Sequence, residues 1–167
     1  MKNTITFNLE PKRQGIDMAA DRGSSFLKSH GFSDDAVQVP VMILRKLIKS
    51  SIKYGRFAPS AKEISVRLQI YRSTYTIEVM NPVYKTCSDR LKELDKTIQF
   101  IRGYQDPYEA YSIRLADVAA NPFKAEANDL DLIKIACEGG AILDFFINED
   151  NFLNLSAVGS LESDGRI

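Results

Sequence analysis

One histidine, His30, and two cysteines, Cys87 and Cys137, are all that the 167-residue chain has of the side chains that most often bind transition metals. The cysteines stand fifty residues apart without metal-ligand spacing, so no zinc-type site is expected. Both thiols lie among apolar neighbours and are read as core or near-core, and a reducing, cytoplasmic setting is expected for them. Net charge is also lacking: 22 basic side chains balance 22 acidic ones. No global field would recruit nucleic acid or an anionic membrane, so any electrostatic site must be local. The opening "MKNTITFNLEPKRQG" has no apolar signal region, and no stretch approaches membrane-spanning length. Internal repeats and low-complexity linkers are missing too. A cytoplasmic protein of one domain, residues 1–161 with a polar tail at 162–167, is expected.

What is present is clear periodicity. "TITFNLEP" alternates Ile5, Phe7 and Leu9 with Thr4, Thr6 and Asn8, a half-buried strand stopped by Pro11. Ile16, Ala19, Ala20, Phe26 and Leu27 then mark a short helix over about 14–27 that ends near Gly31. His30, just before that glycine, reads as a C-terminal capping residue rather than a catalyst. Ser33 is a candidate N-cap for the next helix, with Asp34 and Asp35 in its favourably polarised first turn. Val37, Val41, Leu44 and Ile48 form its predicted buried stripe, Pro40 predicts a kink or a fresh start, and Gly55 ends it.

Two alternating runs around Ile64–Ile70 and Tyr75–Val79, joined by a short turn, predict an antiparallel hairpin closed by Asn81-Pro82. Residues 88–120 read as helical, with Leu91, Leu94, Ile98 and Ile101 in one stripe. Tyr108, Tyr111, Leu115 and Val118 make a second stripe, and Asp106-Pro107 separates the two. The aromatic cluster Tyr104, Tyr108 and Tyr111 is read as core, with a surface for a protein partner as the alternative. "LDLIKIACEGG" is a short helix closed by glycines, and a last strand pair turns at Glu149-Asp150-Asn151. Helices cannot flank both faces of so small a sheet. The expected fold is therefore α/β (α+β), a two-layer sandwich with a mixed, mostly antiparallel sheet and helices on one face.

The run "FLKSHGFSDDAVQVPVMILRKLIKSSIKYG" and the segment "NDLDLIKIACEGGAILDFFINEDNFLNLSAV" resemble the histidine-kinase-like (Bergerat or GHKL-type) ATP-binding fold, in its anti-sigma-factor-kinase branch. The resemblance covers about residues 5–158 and rests on pattern and element order. It implies an ATPase-type domain with a helical lid-region insertion at about 84–128. In that family a glutamate and an asparagine on the helix handle the attacking hydroxyl and Mg²⁺; here those positions hold Lys46 and Ser50, and the helix closes with Tyr54-Gly55. A protonated lysine has no acceptor and repels a metal cation. Asn81 stands where an aspartate would read adenine, although an Asn-Pro pair is also an ordinary strand-ending turn. Asp129 and Asp131 replace the glycines that would open a helix N-terminus to phosphates. At ~4 Å and an effective dielectric near 20, each such like-charge approach costs on the order of 4 kcal/mol.

The resemblance thus implies a remnant nucleotide cleft lined by Lys46, Ser50, Lys53, Asn81, Asp129 and Asp131, with no catalytic residue, no metal site and no expected cofactor. The expected function is a non-catalytic regulatory protein of bacterial signalling. Its partner would be a protein, such as a sigma factor or an anti-sigma-antagonist-like regulator, and neither nucleic acid nor membrane. One alternative is an active serine/threonine kinase using ATP and Mg²⁺, with Glu63, Glu78 or Asp131 as the missing carboxylate. Another is a small-anion binder built on Lys46 and Lys53. On the null side, Lys46, Ser50 and Lys53 are a solvated polar face, and Asp129 and Asp131 only stabilise their helix. Self-association through the N-terminal edge strand, giving a homodimer, is also expected.

Overall fold

The computed structural model describes residues 3–55, 63–83, 88–122 and 129–161. Strand β1 (Thr4–Leu9) leads into helices α1 (Arg13–Ser29) and α2 (Asp34–Tyr54), then the hairpin β2 (Ile64–Tyr71) and β3 (Thr74–Pro82). Helices α3 (Ser88–Arg102), α4 (Pro107–Ala120) and α5 (Asp129–Cys137) follow, and β4 (Ile142–Ile147) and β5 (Phe152–Ser160) complete the sheet. The strand order is β1-β2-β3-β5-β4, and all four pairings are antiparallel. The fold is the two-layer α/β sandwich expected, with a sheet that is antiparallel throughout instead of mixed.

Alternation puts the helices on one face. In β2, Ile64, Val66, Leu68 and Ile70 are buried while Arg67 and Tyr71 are exposed; in β3, Tyr75, Ile77, Val79 and Asn81 are buried. Against this face pack Ala19 and Leu27 of α1, Ile43, Leu44, Leu47 and Ile48 of α2, and Leu132 and Ile135 of α5, in one core cluster. The helix α2 is buried more broadly than the predicted stripe, because α1 and α5 flank it and the sheet lies beneath; Val41 is only half-buried. It also runs unbroken through Pro40 from its N-cap, where Ser33 Oγ accepts from Ala36 N at 3.2 Å. His30 is the C-cap of α1, and Gly31 takes the positive φ of 86° that follows it.

The predicted second stripe of the 88–120 region is corrected. Asp106 caps α4 by accepting from Tyr108 N at 2.9 Å, and Ala110 is the one buried residue of that helix. Tyr111 is half-buried, whereas Tyr108, Ile113 and Leu115 are 57%, 39% and 45% exposed.

As expected, β1 is an edge strand, and β4 is the other. Part of the β4 edge is engaged: Arg102 donates to Leu143 O at 2.8 Å and pairs with Asp144 at 3.2 Å, and the Asp144 carboxylate accepts from Phe145 N at 2.9 Å. Side-chain partners thereby occupy backbone groups that a foreign strand would otherwise use.

Candidate functional site

The C-terminal half of α2, the end of β3 and the start of α5 converge on one region of the helical layer. Burial on α2 extends through Leu47, Ile48, Ser50, Ser51 and Tyr54, so this end of the helix is pressed against the sheet. There Asn81, fully buried at the end of β3, donates through Nδ2 to Ser51 O at 2.7 Å. The same carbonyl accepts from Gly55 N at 2.8 Å. Any side chain at Gly55 would put its Cβ 1.9 Å from Asn81 Nδ2, so close approach, not backbone conformation, dictates the glycine. Asn81 is therefore a strap between β3 and α2.

Its Oδ1 is buried without a hydrogen-bond partner among the described residues, as are Ser50 Oγ and Ser51 Oγ. An asparagine Oδ1 can only accept, while the two hydroxyls can donate or accept.

Lys46 and Asp131 meet across the α2–α5 junction, Nζ to Oδ1 at 2.8 Å, with about one fifth of each side chain exposed. The sequence assigns these residues opposed charges in one cleft, and the structure makes them each other's partner. A cation on its own would attract a phosphate, and a carboxylate on its own would attract a metal; joined, each largely neutralises the other. Lys53 holds its ammonium 5.0 Å from the Tyr54 ring centroid. Arg90 of α3 donates to Lys53 O at 3.1 Å and so engages one of the last carbonyls of α2. Asp129 is the first residue of α5.

Lys46, Ser50, Asn81 and Asp131 thus come from the three elements that converge here, whereas Lys53 stacks on its own neighbour. Among the carboxylates offered for an active kinase, Glu78 is on the uncovered sheet face, 3.5 Å from Arg67, and Glu63 is exposed. Neither joins Ser50. No group of three or more histidine, cysteine, aspartate or glutamate side chains fit to hold a metal occurs among the described residues. Cys137 is buried, and burial raises its thiol pKa, which makes it a poor nucleophile; Cys87 lies outside the described residues.

Sequence reasoning missed Arg90, and it missed a second ion pair on α2, from Arg45 to Asp17 of α1. The hydrogen bond from Arg45 holds the Asp17 carboxyl below the usual carboxylate range. The signal available was composition: beyond Asp35, α2 carries four cations and no acid.

No family model matches the chain, and no curated protein does. A solved structure matches at a TM-score of 0.65 with 16% identity, covering 94% of this chain and 90% of that one: a chain of the SiaB-SiaC complex from Pseudomonas aeruginosa. At that identity the likeness concerns the fold alone. It corrects the family expectation: the solved fold this chain shares is one from the SiaB-SiaC complex, and the assignment to the histidine-kinase-like ATP-binding family is withdrawn. Lys46 and Asp131, which the resemblance set in a nucleotide cleft, are instead each other's partner at 2.8 Å. No helix among the described residues is long and apolar enough to cross a membrane.

Proposed function

We propose that this chain is a non-catalytic regulatory protein that works by binding another protein in a signalling pathway. The observation that carries the reading is the outward side of α4. Tyr108 and Leu115, two turns apart on one face, turn apolar surface to solvent on a helix anchored by one buried alanine. An isolated exposed leucine needs no explanation, but a tyrosine and a leucine exposed together on one face of a weakly buried helix are what a partner would cover. The solved structure with the same fold belongs to a complex of two proteins, which favours the same reading. A sigma factor or an anti-sigma-antagonist-like regulator is the finer form of this proposal.

The region around Lys46 supports the non-catalytic part. A general base needs a free acceptor, and the carboxylate nearest this cation, Asp131, is already engaged by it. No cofactor is needed by the proposed function.

The test is affinity capture from cells of the source organism with the intact chain as bait, beside the Y108E/L115E variant. The proposal expects a stoichiometric protein partner retained by the native chain and lost, by at least tenfold, from the variant at unchanged melting temperature. Equal capture by both chains, or no saturable partner, contradicts it.

A further inference from the structure

Strand β1 stands at the sheet edge with its outer backbone groups open. Ile70 N donates to Asn3 O at 2.8 Å, and β1 pairs with β2 in an unbroken register. Hydrogen-bonded pairs alternate along an antiparallel ladder, so Ile5, Phe7 and Leu9 turn their N–H and C=O groups to β2. Those of Thr4, Thr6 and Asn8 point to the free side, where they have no partner among the described residues. The strand also lacks the devices that protect an edge: it holds no charge, no proline and no bulge. Beside it, β1 and α1 bound a surface groove of about 440 Å³ lined by Ile5, Asp21, Arg22, Ser25, Phe26 and Ser29. Asp21 and Arg22 are exposed and form no ion pair among the described residues. The Arg22 guanidinium lies 4.7 Å from the centroid of the Phe7 ring, which sets the middle of α1 level with the middle of β1.

We propose that a second copy of this chain occupies this edge, β1 against β1 across a two-fold axis at Thr6, so that one sheet runs through both protomers. The inference goes beyond the partner-binding reading above and does not depend on it. The edge is complementary to itself in three respects. With the axis at Thr6, Thr4 faces the partner's Asn8 and Asn8 faces the partner's Thr4, so every open group of the strand is used, in about six backbone hydrogen bonds. The same register sets half-buried Ile5 beside the partner's Phe7 on the helix side and threonine against threonine on the open face. Third, the axis passes at the level of Arg22, where each protomer brings one uncommitted acid and one uncommitted base. Asp21 meets the partner's Arg22, and symmetry forms that pair twice. The opposite edge is less suited, because Arg102 holds Leu143 O and the Asp144 carboxylate holds Phe145 N.

The experiment is sedimentation velocity of the full chain at micromolar concentrations, beside single variants of β1. The proposal expects a species of twice the 18.8 kDa chain mass. T6K sets two ammonium groups against each other at the axis, and T6P removes an N–H that β2 does not use. Each should raise the dimer dissociation constant at least tenfold at unchanged far-ultraviolet circular dichroism. The Thr6 side chain is exposed, so T6K keeps the test valid where T6P does not fold. Mild oxidation then checks the register. T6C should form a disulfide-linked dimer, because the two Cα atoms of a hydrogen-bonded pair lie about 5.5 Å apart, within disulfide reach. T4C should not, since four residues of offset separate it from its own copy by about 14 Å. A chain that stays monomeric, leaving the edge to a strand of some other protein, overturns the proposal. So does a dimer indifferent to T6K, or crosslinking of T4C equal to that of T6C. The partner-binding reading fails separately, when the native chain captures no other protein.

Discussion

Tyr75 and Gly159 stand opposite each other across β3 and β5, and each explains the other. A Cβ at position 159 would lie 2.2 Å from the Tyr75 hydroxyl, so the ring occupies the space that a side chain on β5 would fill. The hydroxyl is buried without a hydrogen-bond partner among the described residues, and burial pushes its pKa up to about 12. The sign follows from linkage. Between the unfolded value near 10 and about 12 the unfolded chain binds fewer protons at this site, so stability is complete below pH 10 and falls as pH rises. Chemical denaturation from pH 9 to 12 should show a loss of about 2–3 kcal/mol in the native chain that is absent in Tyr75→Phe. Identical slopes for the two proteins would reject this. The alternation of β3 made Tyr75 legible as an inward residue; its pairing with a glycine 84 positions later was not, because register is a tertiary property.

At the scale of elements, local patterns were read well where burial is one-sided. The hairpin β2–β3, the Ser33 cap and the break at Asp106-Pro107 all follow from residue types at fixed offsets. Periodicity failed at α4, where Tyr108 and Leu115 repeat at helical spacing yet face solvent. An apolar stripe predicts that something covers it, and it does not say whether the cover is the same chain. On α2 the opposite error arose: the predicted stripe was too narrow, since a helix packed between two others buries more than one face.

The Lys46–Asp131 pair is the element-scale feature most open to measurement. It joins residues 85 positions apart and is partly shielded from solvent. A double-mutant cycle with Lys46→Ala and Asp131→Ala should return a coupling of about 1 kcal/mol, above the usual exposed pair and below a fully buried one. A coupling indistinguishable from zero would mean that the two charges are not partners in solution.

Over the whole molecule, the order of elements and the layer arrangement were legible, because each strand and helix carries its own period and punctuation. The site was legible only as a set of positions. The contacts these residues make were hidden: Asn81 is a strap to Ser51, and Lys46 is bound to Asp131. A family resemblance read from frame and order pointed to a nucleotide fold, and frame alone could not carry it.

Central to the proposed function is that this region serves structure and partner contact, without nucleotide chemistry. Its most direct test is the melting temperature of the intact chain titrated with ATP and Mg²⁺. A ligand that binds only the folded state at a hundred times its Kd would stabilise it by about 2.7 kcal/mol. A flat response up to millimolar nucleotide is expected; a saturable rise at sub-millimolar concentrations, abolished by Asn81→Ala, would overturn the proposed function.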